Sequence, residues 1–513
     1  MRDLIQVIKN TPLDALPHLP GRPYILVDSL RPKVQRALIG VAIGRAAHKA
    51  LNLNVGYLCY QKGKRPVVDE IYEKSGFRPF QIAQHISEQS IYFNIYARAG
   101  ALMRCLKHKN PESLLGMKIQ GIPMGDLIYD SVLKWNDNIY TLKHANTKNV
   151  YGVILDTLVK LNAISKIFDS NKIEYMALSH KVYTTWGIPA RLATNKGVTV
   201  LSFSRPHIRR INTMEDHIDY DFNVSHEEIS KIANKLSKKD VRFYIKDRFD
   251  GRSEGKDVMY AFSNKKDVPP REVADTLNLS TDRPVGLIAP HVFTDAPHCH
   301  QEMIHNDYYQ WFVRILDITS KINSVQWIVK PHPSSPSYNE EGVADEIIEK
   351  YDHVKKVPDD LKTDTVLSVS DAVLTVRGTI GMEALLFDCQ VILSGNAFYD
   401  DLPSVQTCLS EQILEKKLRS IKMKEEHHIP KKEKEQAAAL LYYREKTYNY
   451  TSPMIGRAQS TESDFAEQNI TEWSRFVADT GYQEDLFFRE IVKFMKGEDE
   501  KVSFLNVYAA NKN

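Results

Sequence analysis

Tyr24-Ile25-Leu26-Val27 is a short apolar run that follows Gly21 and Pro23 and closes on Asp28-Ser29. A helical pattern then spans about Val34 to Leu51, with apolar side chains at Leu38, Val41, Ala42 and Ala46. Val55-Gly56-Tyr57-Leu58-Cys59-Tyr60 follows as a second apolar run. Two strands that are apolar throughout, joined by a helix, predict a parallel sheet covered on both faces. The same alternation extends outward. Residues from about Arg78 to Lys107 read as mostly helical, as do Asp126 to Trp135 and Val150 to Phe168. Tyr175–Leu178 and Val198–Phe203 read as buried strands. Residues 205–270 are more polar, with one helix near His226–Leu236, and read as the end of a first domain and a connection.

A second series begins near Arg271, with strands at Val285–Ala289, Val325–Val329, Ala372–Val376 and Gln390–Leu393. Its helices are expected at Asp307–Ile322, Gly342–Tyr351 and Gly381–Phe387. Residues 411–436 are dense in Lys and Glu, and a helical tail follows. The expected architecture is therefore α/β, with two facing Rossmann-like domains at 1–270 and 271–420 and a helical segment at 421–513. Ligands of such sheets bind at the C-terminal ends of the strands, so the site is expected in a cleft there.

Composition narrows the function. The chain has 513 residues, 68 Lys plus Arg against 65 Asp plus Glu, and a net charge of +3. That balance argues against a protein built to hold nucleic acid. Five cysteines without a CxxC pair argue against a disulfide framework or a cysteine-based zinc site. The N-terminal stretch has no apolar run of signal-peptide type, and no stretch reaches the ~18–20 apolar residues that span a bilayer. A cytoplasmic location is expected, with room for contact with a membrane face.

Three strand ends carry the chemistry. In Trp327-Ile328-Val329-Lys330-Pro331-His332-Pro333-Ser334-Ser335 two prolines stop a buried strand and stiffen the turn around a histidine. Lys330 with the Ser334 and Ser335 hydroxyls suits a phosphate; the bland alternative is a proline-rich turn whose histidine caps the strand. In Leu374-Thr375-Val376-Arg377-Gly378-Thr379-Ile380-Gly381-Met382-Glu383-Ala384 a strand enters a Gly-x-x-Gly turn and a helix. The glycines allow close backbone approach, Arg377 adds donors, and Glu383 could accept from ribose hydroxyls. Neither a dinucleotide GxGxxG nor a P-loop is present. Pro290-His291-Val292-Phe293-Thr294-Asp295-Ala296-Pro297-His298 places Asp295 as a candidate base or a loop-shaping residue. His298 and His300 lack a third ligand nearby, so no metal is assigned. In the first half, Asp126 stands near a helix start as a cap or base. Ser179-His180-Lys181, with Arg191 downstream, is a candidate for catalysis or acceptor binding, and Asp28-Ser29 ends the first strand.

As an ordered set, the PHVFTDAPH, DYYQWF, WIVKPHPSS, TVRGTIGMEALLF and VILSGNAFYDD segments resemble bacterial capsule and surface-polysaccharide glycosyltransferases. GIPMGDLIYDSVLK and YMALSHKVYTTWGIPARLATNKGV resemble the first domain of the same group. The resemblance covers most of residues 110–400. It implies a GT-B fold and metal-independent transfer of a sugar from a nucleotide-activated donor to a growing capsule or lipopolysaccharide glycan, or a glycolipid acceptor. By the same resemblance, His332 meets the donor phosphate with Lys330, Ser334 and Ser335 in support. Arg377, Gly378, Thr379 and Gly381 line the phosphate pocket, and Glu383 holds the ribose. Relatives with the HP motif include users of CMP-linked acidic sugars; the resemblance implies no cofactor beyond the nucleotide-sugar co-substrate, and leaves room for peripheral contact with the inner membrane or polysaccharide assembly machinery. For an inverting enzyme the base candidates are His180, Asp126 and Asp295, in that order. The alternatives are a nucleotide-sugar epimerase of similar fold and a non-catalytic subunit of an assembly or export complex.

Overall fold

The computed structural model describes residues 2–31, 33–204, 207–217, 224–252, 260–263, 265–300, 302–448, 450–456 and 464–510. Parts of the expected 205–270 connection and the last residues of the helical tail lie outside them. The chain divides into two compact units. One holds residues 1–132, 146–221 and 446–513, and the other holds 133–145 and 222–445.

The first unit is built on a sheet of β1 (Tyr24–Asp28), β2 (Asn54–Cys59), β3 (Arg78–Gln81), β6 (Ile173–Leu178), β7 (Thr199–Ser204), β8 (His207–Ile211) and β15 (Lys501–Val502). A two-residue hairpin, β4 (Lys118–Ile119) and β5 (Ile122–Pro123), stands apart. The strand order is β15-β8-β7-β6-β1-β2-β3; β8 is antiparallel to both its neighbours, β7 and β15, and the other pairs are parallel. Every residue of β1 and β2 is buried, which explains the unbroken apolar runs Tyr24–Val27 and Val55–Cys59 within them. Helix Val34–Leu51 is buried on nearly every side, because the helices Asp464–Asp479 and Leu486–Lys496 pack on it. Its contact with the sheet is close: a Cβ at Gly40 would lie 2.6 Å from Val27 Cγ1.

Two expectations change here. Arg78–Gln81 is an edge strand ahead of the helices rather than the start of one; its Pro79 is tolerated at a sheet edge. The C-terminal residues from 446 onward are not a separate segment. Ile455, Trp473, Phe487, Ile491 and Phe494 share one core with Val27, Leu38 and Phe203, and β15 adds a strand to the sheet.

The second unit has a six-stranded, all-parallel sheet: β9 (Val285–Ile288), β10 (Gln326–Val329), β11 (Val354–Lys356), β12 (Ala372–Thr375), β13 (Gln390–Leu393) and β14 (Val405–Thr407). The order β11-β10-β9-β12-β13-β14 reverses direction between β9 and β12. That reversal is the switch point at which α/β sheets open a crevice. The stretch expected to connect the domains belongs to this unit. Its helices His226–Lys235 and Lys238–Phe249 bury Ile229, Ile232, Val241 and Tyr244. The unit boundary thus falls near 221, not 270, because those apolar positions need this core.

Candidate donor site at the strand ends of the second unit

β9, β10 and β12 are neighbours, so the residues that follow them are brought together by the sheet itself. Two adjoining cavities open there. One, of about 80 Å³, is lined by Pro290, Lys330, His332, Gly378, Thr379 and Glu383 among others. The other, of about 390 Å³, is lined by His291, Asp295, His332, Ser334 and Tyr338 among others. His291 and His332 border both.

Lys330 is buried, and its Nζ donates to the Leu361 carbonyl at 2.9 Å. Burial pushes its ammonium down to about 8, and Lys265 adds repulsion. A bound anion would relieve both effects. His332 stands in the turn that its flanking prolines stiffen. Its Nδ1 accepts the Ser334 N–H at 3.2 Å, which assigns the proton of the neutral ring to Nε2. The Ser334 hydroxyl is buried and has no hydrogen-bond partner among the described residues. Ser335 lines neither cavity; its N–H closes the turn onto the His332 carbonyl at 3.0 Å.

In the turn after β12, Gly378 and Thr379 line the smaller cavity as expected from the motif. Arg377 is buried behind it. Its backbone N–H donates to His291 Nε2 at 3.2 Å, and its Nη2 reaches the Glu302 carbonyl at 3.4 Å. Burial, with His332 and Arg377 nearby, lowers the His291 pKa far below its ordinary range, so the ring is neutral and accepts that bond. His291 also stacks on Tyr308 with ring centroids 4.4 Å apart. Gly381 does not line the cavity. A Cβ there would lie 2.2 Å from Tyr399 Oη, and that hydroxyl donates to the Gly378 carbonyl at 2.5 Å. The glycine makes room for the side chain that fixes the turn. The following helix, Ile380–Leu385, has only six residues, so its dipole is a minor contributor.

Glu383 borders the cavity but is not solvated. Arg248 donates to its Oε1 from both Nε and Nη2, and Arg248 Nη1 reaches Tyr244 Oη at 3.0 Å. Arg248 was not among the expected site residues. It lies in a segment, Lys238-Lys239-Asp240-Val241-Arg242-Phe243-Tyr244-Ile245-Lys246-Asp247-Arg248-Phe249, whose many charges hide the one that turns inward. Glu340 was missed as well. Its buried carboxylate accepts the Phe293 and Thr294 N–H groups at 2.8 Å each and the Thr294 hydroxyl at 2.7 Å, which pins the loop carrying Asp295. Asp295 itself is exposed on the wall of the larger cavity. His298 Nε2–H donates to the Asn306 carbonyl at 2.6 Å, and no metal-holding cluster occurs among the described residues.

The other candidates sit in the first unit: Asp28 and His180 at the ends of its parallel strands β1 and β6, and Asp126 in the first turn of helix Gly125–Trp135. Asp28 is a bracket between strands: it accepts the Leu30 N–H at 2.6 Å, the Ser179 N–H at 2.9 Å and the Ser179 hydroxyl. Asp126 is gripped by the Arg191 guanidinium, with Nη1 to Oδ1 at 2.6 Å and Nη2 to Oδ2. A carboxylate held by such a fork is a weak proton acceptor, which argues against a role as base. His180 packs on Trp186, with centroids 5.1 Å apart, and its Nδ1 accepts the Lys181 N–H at 3.2 Å. That assigns its proton to Nε2, as in His332. Tyr183, in the same turn, holds a φ of 57°, a strained value for an aromatic residue.

Residues 223–425 match the family model described as capsule polysaccharide biosynthesis protein. The match spans most of the second unit, including every candidate donor residue, and bears out the resemblance drawn from the motifs. No curated protein matches the chain significantly. Similar solved structures include a β-Kdo 2,4-transferase, KpsC of Thermosulfurimonas dismutans, at 14% identity over 52% of this chain and 79% of that one, with a TM-score of 0.31. A glycosyltransferase of Rickettsia africae is 10% identical over 90% and 100%, with a TM-score of 0.26. The UDP-GlcNAc 2-epimerase of Methanocaldococcus jannaschii, solved with UDP-GlcNAc and UDP, is 12% identical over 82% and 99%, with a TM-score of 0.27. Scores this low carry no argument about chemistry.

Proposed function

We propose that the protein transfers a sugar from a nucleotide-activated donor to a polysaccharide or glycolipid acceptor in capsule assembly, and that the strand ends of the second unit hold the donor's phosphate. The observation that carries this reading is the buried Lys330 beside His332 and the unsatisfied Ser334 hydroxyl, within the segment that matches the capsule family.

Transfer breaks the bond between the anomeric carbon and the phosphate oxygen. Positive charge spreads over the sugar ring while negative charge builds on the leaving phosphate. The Lys330 ammonium and His332 Nε2–H stabilise that charge as it forms, from fixed positions in a site shielded from water. Gly378 and Thr379 let the phosphate approach the backbone, and Glu383, held by Arg248 through Oε1, offers its second oxygen to the ribose. Asp295 becomes the preferred base. It shares a cavity with His332 and is exposed, whereas Asp126 is held by Arg191 and His180 carries its proton on Nε2. The donor sugar, including a CMP-linked acidic sugar, is left to experiment. A thermal-shift screen over CMP, CDP, UDP, GDP and their sugars tests the reading. One nucleotide class should raise Tm, and no shift with any of them would refute it.

A further inference from the structure

The helix Ile91–Lys107 in the first unit is apolar on two opposite faces. Ala97, Gly100, Ala101 and Cys105 are buried, and the helix packs against Thr147–Ser170. Tyr92, Ile95, Tyr96, Leu102, Met103 and Leu106 are 47% to 86% exposed. At roughly 100° per residue, these six side chains fall on one continuous arc opposite the buried face. Arg98 and Lys107 stand at the two edges of that arc. A soluble monomer rarely leaves so large an apolar stripe in water.

The sequence of this helix says what covers it. Ile91–Lys107 contains Arg98, Arg104 and Lys107 and no Asp or Glu, and Lys109 follows. A second copy docked on the stripe would bring no acidic residue from this helix to meet Arg98 and Lys107. An anionic bilayer surface accepts both features: the apolar arc enters the acyl boundary while the flanking cations meet lipid phosphates. The tyrosines suit that depth, with an apolar ring and a polar tip. At 17 residues the helix is long enough to lie flat over about 25 Å. The basic helix Glu411–Arg419 differs, because its Leu414 and Leu418 are buried in its own unit.

We infer that Ile91–Lys107 is an interfacial helix that seats the first unit on an anionic lipid surface. The inference is independent of the strand-end chemistry. Its test is flotation of the full-length protein with vesicles of phosphatidylethanolamine and phosphatidylglycerol, and with phosphatidylcholine alone as control. The wild type should float with the anionic vesicles, less so as salt is raised, and not with the control. The Ile95→Glu/Met103→Glu variant should lose about tenfold or more of that binding, and Arg98→Glu/Lys107→Glu should lose its salt-sensitive part. Both alter exposed positions and should keep the wild-type Tm and nucleotide response, which separates this claim from the donor site. A wild type that stays with the soluble fraction overturns the inference. So does a concentration-dependent dimer that the first variant abolishes while vesicle binding is absent.

Discussion

Arg248 donates to one oxygen of Glu383 from two nitrogens, and both side chains are 5% exposed. The pair ties helix Lys238–Phe249 to the turn after β12. Removing one partner strands a buried charge, so Arg248→Met should destabilise the protein by about 3–5 kcal/mol in chemical denaturation. Replacing both, Arg248→Met with Glu383→Leu, should recover most of that loss while nucleotide affinity stays low. Full nucleotide affinity in the double variant would remove Glu383 from the site.

Lys330 sets a pH dependence of two opposite signs. Its ammonium titrates at about 8 in the folded chain, against an ordinary value of 10.5. Between those values the unfolded chain holds a proton that the folded chain lacks, so this group makes the protein more stable as pH rises through that window. Phosphate binding prefers the protonated form and should weaken as pH rises through about 8. Calorimetric titration of nucleotide from pH 7 to 9.5 should show the decline, and Lys330→Met should be weak and flat throughout.

Gly381 is assigned to packing, not to ligand contact. Gly381→Ala should cost about 1–3 kcal/mol by crowding Tyr399. Tyr399→Phe should restore part of that cost by removing the atom that clashes. A variant with unchanged stability and abolished nucleotide binding would return Gly381 to the pocket.

In the first unit, His217 is buried against Thr194 Oγ1 at 2.8 Å, and burial with Arg191 and Lys181 nearby pushes its ring down to about 3 from 6.5. Below about 6.5 the unfolded chain gains a proton that the folded chain refuses. Stability should therefore fall as pH drops from about 6.5 toward 3. Denaturant midpoints measured across that range should flatten in His217→Gln.

The sequence made the sheets legible because parallel strands buried on both faces carry unbroken apolar runs, as Tyr24–Val27 and Val391–Leu393 do. It also exposed the strand ends, since Pro331, Pro333 and Gly378 are residues that stop a ladder or open a turn. What stayed hidden depends on distant parts of the chain. Whether Glu383 is solvated or paired depends on Arg248, and whether Asp126 is a cap or an ion-pair partner depends on Arg191. The placement of the C-terminal helices depends on Trp473 and Phe487 meeting Leu38, which no local pattern encodes. The sequence reads Ile91–Lys107 only as helical; which of its faces is covered depends on the distant helix Thr147–Ser170.

The most direct test of the donor-phosphate site is acceptor-dependent release of nucleotide from the donor that stabilises the protein, compared between wild type and His332→Ala. His332 is half-buried in a turn already stiffened by Pro331 and Pro333, so the variant should keep the wild-type Tm. Its turnover should fall by about 10²–10³-fold through loss of the Nε2–H donor. A His332→Ala enzyme with full turnover, or a wild type that only isomerises the donor sugar without any acceptor, would contradict the account.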